Sequence, residues 1–326
     1  MKKILALLLA LWIPAAVLFG CAPQDDSAAS NKLNIVTTIF PAYDWVREIL
    51  GDETDRAEIT MLLDSGVDLH SYQPTVDDIV KISDCDLFLY VGGESDGWVE
   101  DALKNAPNKE RKVIRLLDVL GDSAKAEETV AGMQEEEHDH EEEAEYDEHI
   151  WLSLKNAQVL VAAISEALQE TDPARKDTYA ANAAAYVEKL SALDGEYRAA
   201  VDSGKHKTLL FGDRFPFRYL ADDYGLDYYA AFPGCSAETE ASFETVSFLA
   251  GKMDALGLPC VLTIEGTQHK IAETIVQNTA QKNQQVLTMD SMQAVTANDA
   301  ASGVSYLSIM EKNLSVLKKA LGQEAE

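Results

Sequence analysis

Residues 172–204 read DPARKDTYAANAAAYVEKLSALDGEYRAAVDSG. Asp172 followed by Pro173 is a helix N-cap with proline at the first helical position, where the missing N–H would have had no partner anyway. Tyr179, Ala183, Tyr186, Leu190, Leu193, Tyr197 and Val201 recur at three- to four-residue spacing, so they share one face of a single helix that ends at Ser203-Gly204. Roughly 30 helical residues span about 45 Å, enough to run the length of a two-lobed body.

The same pattern stands on both sides of this helix. Upstream, strand-like runs at Leu33–Thr38, Ala57–Leu63, Leu87–Val91 and Lys112–Leu117 alternate with helical stretches at Tyr43–Leu50, after the capping signal Thr75-Val76-Asp77-Asp78, and at Trp98–Lys104. Downstream, strands are predicted at Lys207–Phe211, Asp227–Phe232, Cys260–Ile264 and Val286–Met289, with helices at Phe217–Tyr224, Ala241–Leu256, Lys270–Gln281 and Tyr306–Leu321. Alternation of this kind predicts an α/β fold: two β-α, Rossmann-like lobes with parallel sheets, 33–171 and 205–326, joined by a long rigid backbone helix at 172–204.

The chain has 326 residues, 27 basic and 56 acidic, for a formal charge of −29. That surface repels nucleic acid and anionic membranes and attracts cations. Met1-Lys2-Lys3 and the apolar run Ile4–Phe19 predict a secretion signal over 1–20. Leu18-Phe19-Gly20-Cys21 resembles the lipobox of bacterial lipoproteins, which implies lipidation of Cys21 and a flexible tether over 21–32. An extracytoplasmic protein, lipid-anchored to the cell membrane, is the expectation. Cys85, Cys235 and Cys260 then remain, an odd number in an exported chain.

Three of the six histidines fall in the most acidic stretch, QEEEHDHEEEAEYDEHIW at 134–151. Imidazole nitrogen with carboxylate oxygen is a ligand set that suits a divalent transition metal. His138 and His140 sit in the part that reads as a solvated loop, within an acidic insertion at 124–148, whereas His149 is followed at once by Ile150-Trp151-Leu152, which must pack. In open α/β sheets ligands bind beyond the carboxyl ends of the strands. The polar residues there are His70 in the first half, with His149 entering from the insertion, and Asp213, Cys235, Glu265 and Asp290 in the second. Asp213 has an ion pair with Arg214 as its competing role, Asp290 a turn cap, and Glu265 a place at a helix N-terminus. Cys235 is either a soft ligand or a structural thiol, and Cys85 and Cys260 read as buried thiols.

Two motifs carry a family resemblance that covers Leu33 to Leu321. Gly66-Val67-Asp68-Leu69-His70-Ser71-Tyr72-Gln73-Pro74-Thr75 is similar to Gly-x-Asp-Pro-His-x-Tyr-x-Pro-Thr, and Asp147-Glu148-His149-Ile150-Trp151-Leu152 to Asp-Pro-His-Val-Trp-Leu, of the metal-specific solute-binding proteins of bacterial ABC importers. The resemblance implies two lobes joined by a backbone helix, a metal site in the interlobe cleft, and His70, His149 and Asp290 as ligands. A His-rich acidic loop is typical of zinc-type members, with auxiliary metal binding by His138 and His140. The family's third ligand lies in a pattern His-x-Ala-Phe-x-Tyr; matched to Gly212-Asp213-Arg214-Phe215-Pro216-Phe217, it places Gly212 at the ligand position, and leaves Asp213, Cys235, Glu265 or water to fill it.

These readings converge on a monomeric binding protein, not an enzyme, that captures Zn2+, with Mn2+ as the other candidate, for an ABC importer permease. A secreted zinc hydrolase is the rival class, but no His-Glu-x-x-His occurs. A surface adhesin or metal store is a further alternative.

Overall fold

The structure, a computed structural model, describes residues 32–104, 106–134, 145–236, 240–266 and 269–323. The leader, Cys21, and the acidic segment with His138 and His140 lie outside the described residues. In chain order the strands are β1 (Leu33–Thr37), β2 (Ala57–Met61), β3 (Leu87–Tyr90), β4 (Lys112–Arg115), β5 (Thr208–Arg214), β6 (Asp227–Phe232), β7 (Cys260–Thr263) and β8 (Gln285–Thr288). The helices are α1 (Phe40–Leu50), α2 (Val76–Asp84), α3 (Val99–Lys104), α4 (Leu116–Leu120), α5 (Leu154–Thr171), α6 (Lys176–Ser203), α7 (Arg218–Tyr224), α8 (Phe243–Leu256), α9 (Lys270–Asn278), α10 (Ala297–Ala301) and α11 (Tyr306–Ala320). Two four-stranded parallel sheets form, ordered β2-β1-β3-β4 and β6-β5-β7-β8. In each the chain reverses its direction of winding beside the first strand, which opens a crevice at the carboxyl ends.

The helix α6 joins the two sheets but starts at Lys176: Pro173–Arg175 form a 3-10 turn ahead of it, and the Asp172 side chain caps no backbone N–H, which corrects the predicted start. All seven residues of its apolar stripe are buried. Asp172 receives bonds from Arg175 (2.7 Å) and Tyr179 (2.9 Å), which fixes the entry turn. Asn182 donates to the Ile49 carbonyl at the end of α1, and Tyr197 to the Met310 carbonyl within α11, so one helix is tied to both halves. Among the described residues no helix is long and apolar enough to cross a membrane.

Two differences from the sequence reading bear on the site. Strand β5 does not stop at Phe211: it passes through a bulge and pairs Arg214 with Phe232 on β6, so Asp213 and Arg214 belong to the strand itself. The arms of the acidic insertion are also ordered. Glu127 N donates to the Glu145 carbonyl and Asp147 N to the Lys125 carbonyl, forming a short antiparallel strap. That strap rests on the second sheet and its helices. Gln134 N donates to the Ala231 carbonyl, Tyr219 Oη to the Asp147 carbonyl, and Arg218 pairs with Glu128.

A buried carboxyl joins the ends of the chain. Asp44, 3% exposed in α1, accepts the Tyr306 amide at 2.8 Å at the start of α11. Burial pushes its pKa up from the ordinary 3.8 to about 6, against the pull of that amide. The native state therefore holds a proton that the unfolded chain has lost between about pH 4 and 6, and stability falls as pH rises through that window. Asp44→Asn keeps an acceptor for Tyr306 without the charge, and is expected to raise unfolding free energy at pH 7 by roughly 1–3 kcal/mol and to flatten the pH dependence between 4 and 6. Urea unfolding at pH 4, 5, 6 and 7 checks this; a variant with the parent's slope would contradict it.

Candidate metal centre

His70 sits in a tight turn at Leu69–Ser71 whose N-cap is Asp68; the Asp68 carboxylate accepts the His70 amide at 3.0 Å. Its Nδ1 lies 2.9 Å from Ser95 Oγ and 3.3 Å from Glu148 Oε2. His149 opens the turn Ile150–Leu152, and both its amide (2.8 Å) and its Nδ1 (3.0 Å) reach Asp147 Oδ1. The ring is fully buried and tilted against Trp151, whose Nε1 donates to the Ser291 carbonyl of the second half at 2.9 Å. The two Nε2 atoms face each other at 3.2 Å.

That separation has a chemical meaning. A carboxylate at Nδ1 holds the proton there and leaves Nε2 as a bare lone pair. With Ser95 Oγ donating to His70 Nδ1, the His70 Nε2–H instead donates to His149 Nε2; once that proton leaves, both lone pairs are open to one cation. Two imidazoles on a tetrahedral Zn2+ at 2.0–2.1 Å have nitrogens about 3.3 Å apart, so the spacing suits a shared ion.

Glu148 stands where the motif has proline, a replacement that reads from sequence only as a looser loop. In the structure it is 2% exposed and lies behind the His70 ring, accepting Ser95 N at 2.8 Å while facing His70 Nδ1. Burial alone would raise its pKa; the contacts with His70 and Ser95 outweigh that and hold it below the usual carboxylate range. Gly93 makes room for it, since a Cβ there would stand 2.0 Å from Glu148 Oε1. No signal short of the fold could have paired Glu148 with His70, because the link is 78 residues long (148 − 70).

Cys235 completes a group of three: its Sγ and one ring nitrogen from each of His70 and His149 all lie within 4.8 Å of one another. The loop carrying it follows β6, and with His70, Glu127 and Glu148 it lines a cavity of about 760 Å³.

Asp213, Asp290 and Glu265 are not members of that group among the described residues. Asp213 accepts from Arg214 N (2.9 Å) and Ile264 N (3.4 Å), beside β7. Its neighbour Arg214 pairs not with it but across the cleft with Asp68. Burial would raise the Asp68 carboxyl, but the guanidinium outweighs it and holds it low. Gly212 offers no ligand position: a Cβ there would stand 2.5 Å from Ala272 Cα on α9, inside the packing and away from the cleft. The His-x-Ala-Phe-x-Tyr pattern fits better two residues on, at Arg214-Phe215-Pro216-Phe217-Arg218-Tyr219, where both the Phe and the Tyr match. Arg214 therefore occupies the strand-end position, and the assignment to Gly212 is corrected.

Asp290 and Glu265 build a loop together. Glu265 accepts from Ser291 N, Ser291 Oγ, Gln293 N and Ala294 N, and Asp290 accepts Met292 N at 2.8 Å while Met292 adopts φ 67°. These bonds sustain a left-handed residue that would otherwise be strained. Burial, and then the neighbouring Glu265, push Asp290 up to about 6.

Residues 35–320 match the family described as ZnuA, zinc-uptake complex component A, periplasmic. The chain belongs to the ZnuA family. It is 34% identical to the zinc-binding lipoprotein AdcA of Streptococcus pneumoniae over 329 aligned positions, covering 99% of this chain and 62% of AdcA. It is 29% identical to the high-affinity zinc uptake system protein ZnuA of Bacillus subtilis, covering 89% of this chain and 88% of that one. The crystal structure of the Zn(II)-bound ZnuA-like domain of S. pneumoniae AdcA superposes with a TM-score of 0.70 at 30% identity, covering 90% of this chain and all of that domain. The chain thus spans about three-fifths of the AdcA relatives that it matches. ZnuA-family membership accords with the two parallel sheets and the linking helix, and makes the chain kin to transport components.

For this ZnuA-family chain the carboxylates behind the imidazoles have a measurable share. Glu148→Gln and Asp147→Asn keep the shape but remove the charge that fixes each ring, and each is expected to weaken Zn2+ binding about 10- to 100-fold. Chelator competition reads this, and unchanged affinity in both variants would remove them from the site.

Proposed function

We propose that the chain captures a divalent transition metal, Zn2+, in the cleft between its lobes and delivers it to the membrane permease of an ABC importer. One observation carries this reading: the two Nε2 atoms 3.2 Å apart, with His149 Nδ1 on the Asp147 carboxylate and His70 Nδ1 on Ser95 Oγ beside the Glu148 carboxylate. Family membership and the zinc-binding names of AdcA and ZnuA support it. The cation is cargo, so its ligands need to seize and release it and need not hold an open position for a reacting water. The surface charge of −29 concentrates cations near the cleft.

The protein works outside the cytoplasm as a monomer, tethered by lipid on Cys21, so that cargo loaded at the surface is already beside the permease. The carboxylate-backed imidazole pair favours Zn2+ over Mn2+, which prefers oxygen-rich, higher-coordinate sites. Equilibrium dialysis is expected to give one tightly held Zn2+ per chain. His70→Ala and His149→Ala should each weaken it about 100-fold or more, since each removes one of a few ligands that share the binding energy. Retention of tight binding in either variant would refute the site.

A further inference from the structure

The ZnuA-family pattern places a neutral histidine at the end of the first strand of the second lobe, and here Arg214 stands there. A guanidinium keeps its charge and has no lone pair for a metal. We infer that Cys235 is the third metal ligand, binding as thiolate, and that Arg214 positions it. This rests on the reading of His70 and His149 as a metal-capture pair.

The loop is built to bring the sulfur in. Gly234 lies against the His149 ring, where a Cβ would stand 3.3 Å from both Cε1 and Nδ1 and 2.9 Å from the Phe215 carbonyl oxygen. Any side chain there would lift the loop off the imidazole. On one side of the sulfur the Cys235 amide donates to Glu127 Oε1 at 2.8 Å; on the other, Arg214 Nη1 donates to the Ser236 carbonyl at 3.3 Å while its Nη2 grips Asp68. Cys85 and Cys260 have no such setting: both are core thiols, 0% and 4% exposed.

The metric requirement is modest. On a tetrahedral Zn2+ with Zn–S of about 2.3 Å, sulfur and nitrogen stand about 3.6 Å apart. Sγ already lies within 4.8 Å of a ring nitrogen of each histidine, so a movement on the order of 1 Å, with the rings turning Nε2 to the ion, closes the bonds. As the Zn–S bond forms, the S–H bond breaks and its proton passes to water. The charges also agree: a cation and a thiolate together replace one neutral imidazole, so the net charge around the ion is that of the family pattern. A thiolate shifts preference further from Mn2+ toward Zn2+ and other thiophilic ions.

The test uses the mature chain, kept reduced, with Co2+ as the spectroscopic probe and Zn2+ as competitor. The parent is expected to gain an intense near-ultraviolet thiolate-to-cobalt band with one Co2+ bound, and Cys235→Ser to lose that band and bind Zn2+ about 100-fold more weakly. One equivalent of Zn2+ should protect Cys235 of the parent from iodoacetamide, read by peptide mass spectrometry, which needs no variant to fold. Co2+ bound without the band, or Cys235 alkylated equally fast with and without Zn2+, would overturn thiolate ligation while leaving the histidine pair standing. If His149→Ala also bound Zn2+ as tightly as the parent, the capture reading itself would fall. Arg214→Ala should reduce Zn2+ affinity yet retain the cobalt band, as a positioning residue would; loss of the band with affinity unchanged would contradict that role.

Discussion

Two imidazole Nε2 atoms held face to face at 3.2 Å are the constraint from which the rest of this molecule follows. That spacing suits one shared proton, in an Nε2–H···Nε2 hydrogen bond, or one shared cation, and the scaffold holds the rings there. Each ring is backed by a carboxylate, each carboxylate is fixed by backbone amides or a serine, and the turn of His149 is pinned to the second half through Trp151 and the Ser291 carbonyl. The loop that receives Trp151 is in turn knitted by Glu265. A chain of contacts thus runs from a strand end of β7 through Trp151 to the His149 ring, and breaking it anywhere frees the ring to turn.

Electrostatics around the pair are divided by distance. Asp147 and Glu148 touch the rings and are nearly sealed from water, whereas the cavity mouth carries Glu94, Glu127 and Glu145. The inner carboxylates act on orientation and basicity; the outer ones act on the local concentration of cations, an effect that salt screens within about 10 Å. Arg214 is the opposing charge. Placed against Asp68, which also caps the His70 turn, it ties the second sheet to the turn that aims the first ligand.

Much of the fold was legible. The stripe on α6 is buried residue for residue, and β6 runs over the predicted bounds, because periodicity reports burial directly. The proximity of His70 and His149 was legible from strand ends and motif spacing. Boundaries failed where tertiary pairing overrode local pattern: β5 runs on through a bulge to Arg214 because β6 is long enough to receive it. The role of Glu148 was hidden for a different reason. A charged residue in a charged run looks solvated, and only the packing of Gly93 and Ser95 against it makes it interior. Similarly, the register at Gly212 could not be judged until α9 was seen to fill the space beside it.

The strap formed by the arms of the acidic insertion has a mechanical consequence. It leaves the first sheet after α4, lies on the second, and returns at Asp147 to the first half through His149, so the covalent chain crosses between the sheets there in addition to α6. A body stitched in this way has few soft modes that swing one sheet away from the other. Rearrangement around the imidazole pair then falls to short segments at the rim, such as the Pro233–Ser236 loop that carries Cys235.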